Sequence, residues 1–205
     1  MNFKELHRVT PQVYLEHAEA FDQQRSRQLF EKYWLDRFLN ELPEEANVLD
    51  VGCGSAQPIA KYLIEENNIN LTGVDASSSM IDIARSRYPD HEWQVMDMRA
   101  LRLDQQFDGI IAWDSFFHLN PEEQGEVLPL FCQYLKANGA FMTTIGDQAG
   151  EEDGYVNGQQ VYHASLEPGE YENILRELGF QKIEIRLRDI DCGEHTVLLA
   201  SSYLQ

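Results

Sequence analysis

Cysteine is scarce in this chain of 205 residues: Cys53, Cys132 and Cys192 are the only three, and none forms a C-x-x-C pair. An odd, widely spaced set argues against a disulfide framework or a zinc site and reads as reduced cytosolic thiols. Long apolar runs are missing too. No stretch of about 18 apolar residues is present, which excludes a transmembrane helix, and the stretch from Met1 to His7 lacks the apolar core of a signal peptide. Positive charge is the third shortage. Lys and Arg number 16 against 35 Asp and Glu, a formal net charge of −19, and the basic residues form no run. Such a surface repels phosphate backbones, so nucleic acid is disfavoured as a partner and solubility is the plain reading of the acidity. No internal repeat or low-complexity segment appears. The expectation is a cytoplasmic protein that engages neither nucleic acid nor membrane.

What is present is an apolar content of 43%, enough for one α/β domain with a sizeable core. The chain is organised around Ala46-Asn47-Val48-Leu49-Asp50-Val51-Gly52-Cys53-Gly54-Ser55-Ala56. A short apolar run ends in a carboxylate, passes through a glycine turn and meets the apolar segment 61–64, the pattern of a buried strand feeding a helix. Gly52 and Gly54 permit positive φ and close approach of a ligand to the backbone, although tight strand-to-helix turns also use glycine for steric reasons alone. A second run, Leu71 to Val74, ends at Asp75, 21 residues past Gly54. In dinucleotide-type folds an acid at about that distance binds ribose hydroxyls. A third run ends at Asp97 and a fourth, Phe107 to Trp113, at Asp114. Aspartate also forms turns and caps helices, but four strands each finishing on an acid describe the crevice of an open parallel sheet.

These motifs, in this order, resemble the class I S-adenosylmethionine-dependent methyltransferases. Val48 to Ser55 is close to that family's first motif, Gly73 to Ile81 to its second, and Asp97-Met98 to its adenine-reading pair. Phe107 to Ala112 resembles the fourth-strand motif, and Leu135 to Met142 the helix-turn-strand before the fifth strand. The resemblance implies a doubly wound, Rossmann-like sheet of seven mostly parallel strands with a reversed last strand, under N-terminal lid helices. It also implies S-adenosylmethionine as cofactor. Asp50 and the Gly52-Cys53-Gly54 turn would approach the amino-acid end and Asp75-Ala76 the ribose. Met80, Asp97 and Met98 would surround the adenine, and Trp113 at the fourth strand's end would also face the cofactor. Many members carry glycine where this chain has Ala56, so a slightly altered turn is expected. The division implied is a helical lid over 1–45 and a cofactor-binding part over 46–205 with a loop insertion at 146–163.

The remaining elements are read from pattern. Thr10-Pro11 marks the start of a helix over 10–24, and a second helix runs over 25–42. By the resemblance, Tyr14, Phe21 and Arg25 are lid contacts for the substrate, whereas Trp34 and Phe38 pack the helices. Helices follow over 57–66, with a turn at Asn67-Asn68, and over 77–88, 121–135 and 167–178, the last closed by Gly179. Arg99 and Arg102 read as solvated charges without a function. The stretch 146–163, with four glycines, is a surface loop or a small hairpin. The runs 180–188 and 194–203 form an antiparallel pair.

Asp114, Phe117 and His118 follow the fourth strand where methyltransferases meet their acceptors. Enzymes that methylate nucleic-acid amines carry two prolines there, and this chain has none. His118 is a candidate general base or a packing residue, and His163 with Tyr162 forms a second candidate pair for proton transfer or substrate contact. No metal is implied. Methyl transfer from a sulfonium is an in-line displacement, so residues that hold and align matter more than a nucleophilic triad. The reading is a small-molecule methyltransferase, its acceptor a compact amine or carboxylic acid. Two alternatives stand beside it. A nicotinamide-dependent oxidoreductase predicts a third glycine where Gln57 stands and has no use for Asp97-Met98, and a non-catalytic cofactor-binding module keeps the fold without turnover.

Overall fold

The computed structural model describes residues 2–67 and 69–205. Seven strands form one sheet: β1 (Asn47–Val51), β2 (Asn70–Asp75), β3 (Glu92–Val95), β4 (Phe107–Ala112), β5 (Leu135–Ile145), β8 (Phe180–Asp189) and β9 (His195–Tyr203). A separate hairpin, β6 (Gly150–Val156) and β7 (Gln159–Ser165), lies between β5 and β8 in the chain. The sheet order is β3-β2-β1-β4-β5-β9-β8, parallel except that β9 runs antiparallel to both of its neighbours. The reversed last strand therefore sits inside the sheet, and the order reverses beside β1, where the carboxyl ends of β1 and β4 part to leave a crevice.

Both faces of the central strands are covered, which is why their sequences are nearly continuous apolar runs. Val48, Ile111, Met142 and Val197 point to a layer holding α2 (Lys32–Asn40), α3 (Ile59–Glu65) and α4 (Ser78–Arg87). Their neighbours Leu49, Ile110, Phe141 and Leu198 point to the opposite layer, with α5 (Pro121–Gln133) and α6 (Pro168–Leu178). Each side chain buried there contributes roughly 1.5–3 kcal/mol.

Several boundaries differ from the sequence expectation. The first helix, α1 (Phe3–Gln24), starts well before Thr10. Asn2 caps it through a reciprocal box with Glu5, which satisfies two otherwise orphaned donors. Thr10 lies inside, its hydroxyl donating to the Leu6 carbonyl at 2.9 Å and accepting the Tyr162 N–H at 2.8 Å. The helix bends at His17 (φ −112°, ψ 15°). The second helix covers only Lys32–Asn40, so Arg25 and Glu31 stand on the connection before it. α3 begins at Ile59 rather than at residue 57, and Asn68 of the expected turn lies outside the described residues. The stretch 146–163 forms most of the β6–β7 hairpin, which packs on α1 through the Tyr162 ring, edge-on to His7 and Phe3.

Candidate active site

The carboxyl ends of β1, β2, β3 and β4 open into a cleft of about 1140 Å³, counting its solvent-open mouth, and α1 forms its roof. The floor is the turn after β1. Gly52 (φ 75°) donates its N–H to the Val74 carbonyl at 2.7 Å, and a Cβ built on it would stand 2.2 Å from the Ser115 Cβ. Over Gly54 (φ 53°) a Cβ would meet nothing within 4 Å, so the backbone there is open to a ligand. Ala56 keeps the left-handed backbone a glycine would favour (φ 62°) although it carries a methyl group. The turn is retained at a strain of about 1–2 kcal/mol.

Four carboxylates face this space in different states. Asp75 accepts the Gly54 N–H at 2.9 Å and the Ser77 N–H at 2.8 Å, which ties the glycine turn to the start of α4. Asp50 is 4% exposed with no side-chain hydrogen bond among the described residues. Burial, and then the neighbouring Asp75 charge, push its carboxyl up to about 7. Asp97 is clamped by Arg99, whose main-chain N–H and Nε both donate to Oδ1 at 2.9 Å. Arg99 also reaches Glu123 at 2.8 Å, and Glu123 meets His7 at 2.8 Å. Arg99 is thus a cleft residue, contrary to the expectation of a free solvated charge. Burial works to raise the Asp97 carboxyl, but the Arg99 bonds hold it low.

Asp114, the fourth, has φ 50° and its own N–H bonded to the Thr144 hydroxyl at 2.9 Å. Its Oδ1 stands 3.1 Å from His195 Nε2 and its Oδ2 3.4 Å from Arg25 Nη1. The other ring nitrogen of His195 is 2.7 Å from the Cys192 carbonyl. Both nitrogens face acceptors, so both donate and the ring is an imidazolium. Its pKa is raised to about 9 chiefly by the Asp114 hydrogen bond. Burial alone would raise the Asp114 carboxyl, and the two cations hold it ionised.

His118 is the opposite case. Its Nδ1 is 2.8 Å from the Tyr162 carbonyl and its Nε2 2.9 Å from the Tyr14 hydroxyl. A carbonyl only accepts, so Nδ1 carries the proton and Nε2 accepts from Tyr14. Burial pushes its pKa down to about 4, leaving a neutral ring, and raises the Tyr14 phenol.

The cleft gathers Tyr14, Arg25, Asp50, Gly52, Cys53, Gly54, Asp75, Ala76, Met80, Asp97, Met98, Trp113, Asp114 and His118. Three expected site residues are elsewhere. Phe117 and His163 line a second cavity of about 1100 Å³ between the hairpin and the adjoining ends of β5 and β9. Tyr162 is buried against α1 with its hydroxyl donating to Glu151, and only its main-chain carbonyl reaches His118. Strand alternation explains the split, because neighbours on β7 point to opposite faces. Nothing in the sequence singles out His195 or Glu31, and Arg99 reads there as a solvated charge. Only the insertion of β9 beside β5 brings His195 to Asp114.

Fold and cleft together define an α/β protein of the doubly wound kind, its crevice lined by carboxylates. The family described as "Methyltransferase domain" matches residues 48–139. A dTDP-3-amino-3,4,6-trideoxy-alpha-D-glucopyranose N,N-dimethyltransferase of Streptomyces venezuelae is 25% identical over 168 residues, 78% of this chain and 68% of that protein. A carboxy-S-adenosyl-L-methionine synthase of Campylobacter lari is 24% identical over 70% of this chain and 58% of its own length. The chain spans 43% to 68% of the first curated relatives it matches. Among solved structures, an amino pentose methyltransferase from Micromonospora echinaspora superposes with a TM-score of 0.70 at 16% identity, covering 91% of this chain and 95% of that one. The methyltransferase match covers residues 48–139 of this chain, and S-adenosylmethionine is the molecule bound in the amino pentose methyltransferase it resembles.

The cleft fits that cofactor. S-adenosylmethionine carries positive charge on its sulfonium and amino group, which suits an unpartnered buried Asp50 and the adjacent Asp75, whereas a dinucleotide pyrophosphate would meet like charge. Gly52 cannot gain a Cβ without striking Ser115, and Gly54 leaves the ligand side bare. Of the described helices, none is long and apolar enough to cross a membrane.

Proposed function

We propose that this methyltransferase of small molecules acts on amines, taking a primary or secondary nitrogen as its acceptor. The observation that carries the reading is Asp114, an ionised carboxylate at the cleft wall, held by two cations and aligned by Thr144. S-adenosylmethionine supplies an activated methyl group. The amine would bind beside Asp114 as an ammonium and release one N–H proton to solvent water; its freed lone pair would then take the methyl group, leaving positive charge on the nitrogen. A carboxylate beside the nitrogen stabilises that developing charge. The same carboxylate repels a phenolate or carboxylate acceptor, so of the two acceptor classes expected from the sequence the acid is disfavoured. Tyr14, its hydroxyl proton committed to His118, keeps oxygen lone pairs free to accept an acceptor N–H. A primary amine makes N–H contacts to both Tyr14 and Asp114, a secondary amine to one of them; these contacts aim the lone pair, and alignment supplies much of the rate. His118 holds Tyr14 in this role; a ring with a pKa of about 4 stores no proton near neutrality. The Streptomyces venezuelae relative, whose name specifies an amino sugar, supports the amine class.

The test is methyl transfer from methyl-labelled cofactor to matched panels of amines, phenols and carboxylic acids. Amines are expected to be labelled, and Asp114→Asn to lower kcat/KM by about 100-fold, the scale of losing one transition-state contact. Labelling confined to phenols or acids contradicts the proposal.

A further inference from the structure

The Asp114 carboxylate that the amine reading requires is engaged by Arg25. Nη1 and Nη2 of Arg25 both stand 3.4 Å from Asp114 Oδ2, well beyond the roughly 2.7–2.9 Å of a good charge-assisted bond. Asp114 and Arg25 side chains keep 23% and 22% of their surface exposed, so the pair is reachable from the cleft. On its other side, Nη2 of the same guanidinium lies 3.8 Å from Glu31 Oε1. Glu31 is 5% exposed, and its Oε2 has no hydrogen-bond partner among the described residues. A buried carboxylate oxygen left without a donor is costly and needs an explanation. Arg25 is therefore a fork of five donors suspended between two carboxylates and seated closely on neither.

We propose that Arg25 is a stand-in for the acceptor: it occupies Asp114 while the acceptor subsite is empty and moves onto Glu31 when a cationic amine takes its place. The proposal rests on the amine reading above. His195 is the fixed partner, since both its nitrogens are bonded and Oδ1 stays occupied throughout. Oδ2 is the exchangeable position. Burial raises the Glu31 carboxyl, which favours its neutral form while Arg25 rests on Asp114; the arriving guanidinium favours the ionised form, and the orphaned oxygen completes a two-oxygen dock for it. The exchange also gives selectivity. A neutral alcohol or an anionic acid cannot replace a guanidinium on a carboxylate, whereas an ammonium group can.

Calorimetry on protein saturated with S-adenosylhomocysteine tests this, with cyclohexylammonium and cyclohexanecarboxylate as probes for wild type, Arg25→Gln and Glu31→Gln. Removing the internal competitor should tighten cyclohexylammonium binding in Arg25→Gln by about fivefold or more, and removing its parking place should weaken it in Glu31→Gln by a similar factor. S-adenosylhomocysteine affinity in each variant reports an intact fold. Weaker ammonium binding in Arg25→Gln overturns the proposal, as does cyclohexanecarboxylate binding that Arg25→Gln abolishes, because Arg25 is then an anion-binding contact. Equal ammonium binding in all three proteins refutes the exchange alone. No ammonium binding in any of them refutes the exchange together with the amine reading.

Discussion

Asp50 shows how much a single buried side chain contributes to the choice of ligand. Its pKa of about 7 comes first from burial and then from Asp75, so near neutrality the empty protein holds it partly protonated. A cationic ligand favours the ionised form, and cofactor affinity should rise as pH increases from 6 to 8, with Asp50→Asn flattening that rise. The stability effect has the opposite sense. A carboxyl with a raised pKa in the folded state stabilises below its unfolded value and loses that contribution as pH climbs through about 7. In the absence of cofactor, Asp50→Asn should therefore stabilise the protein above pH 7 by about 1–4 kcal/mol, readable as a raised denaturation midpoint at pH 8 and a clearly smaller rise at pH 5. The residue itself was legible, since an acid closing an apolar run just before a glycine turn can occupy few other places. Its lack of a partner was not, because that depends on every neighbouring element.

Among the elements, α1 is anchored by side chains near its C-terminal end. There Asp22 accepts from Arg87 Nη1 at 2.7 Å, from Arg27 at 3.0 Å and from the Ser55 hydroxyl of the glycine turn. Arg87 also donates to the Ser55 carbonyl at 2.7 Å, so the roof, the turn and α4 share one junction. On the hairpin side, Asn157 meets His17 at 3.0 Å and Gln24 at 3.3 Å. Asp22→Ala should cost about 1–3 kcal/mol, the range for a partly buried charged contact whose partners stay near solvent. Cofactor affinity should fall with it, because the roof and the Ser55 turn lose their common anchor. Denaturant titration and calorimetry measure the two effects. The helix was readable from its spacing, but Thr10-Pro11 imitates a start so well that the Asn2–Glu5 box was passed over, although its N-x-x-E spacing is a recognised signal. Glycine and acid mark loop and hairpin alike, so the sequence does not separate the two over 146–163, and the packing of the hairpin depends on the Tyr162 ring, which the sequence offers as a substrate contact.

At the scale of the whole molecule, the order of the central strands was legible because each motif occurs once and in sequence, and each of the first four strands has an aspartate within two residues of its end. The antiparallel β8–β9 pair was legible from its alternation. What sequence did not carry is the meeting of distant residues: His195 with Asp114, Arg25 with Asp114, Arg99 with Glu123. The formal charge of −19 belongs to this account as well. A strongly acidic molecule with carboxylates along its crevice attracts cations and repels phosphate, which separates a sulfonium cofactor from a dinucleotide on a sheet that serves both. The most direct measurement is calorimetric titration of wild type and Asp75→Ala with S-adenosylmethionine and, separately, with reduced nicotinamide dinucleotide. The account predicts binding of the sulfonium cofactor alone, weakened about 100-fold or more by the substitution, equivalent to roughly 2.7 kcal/mol. Binding of the dinucleotide without S-adenosylmethionine would contradict it.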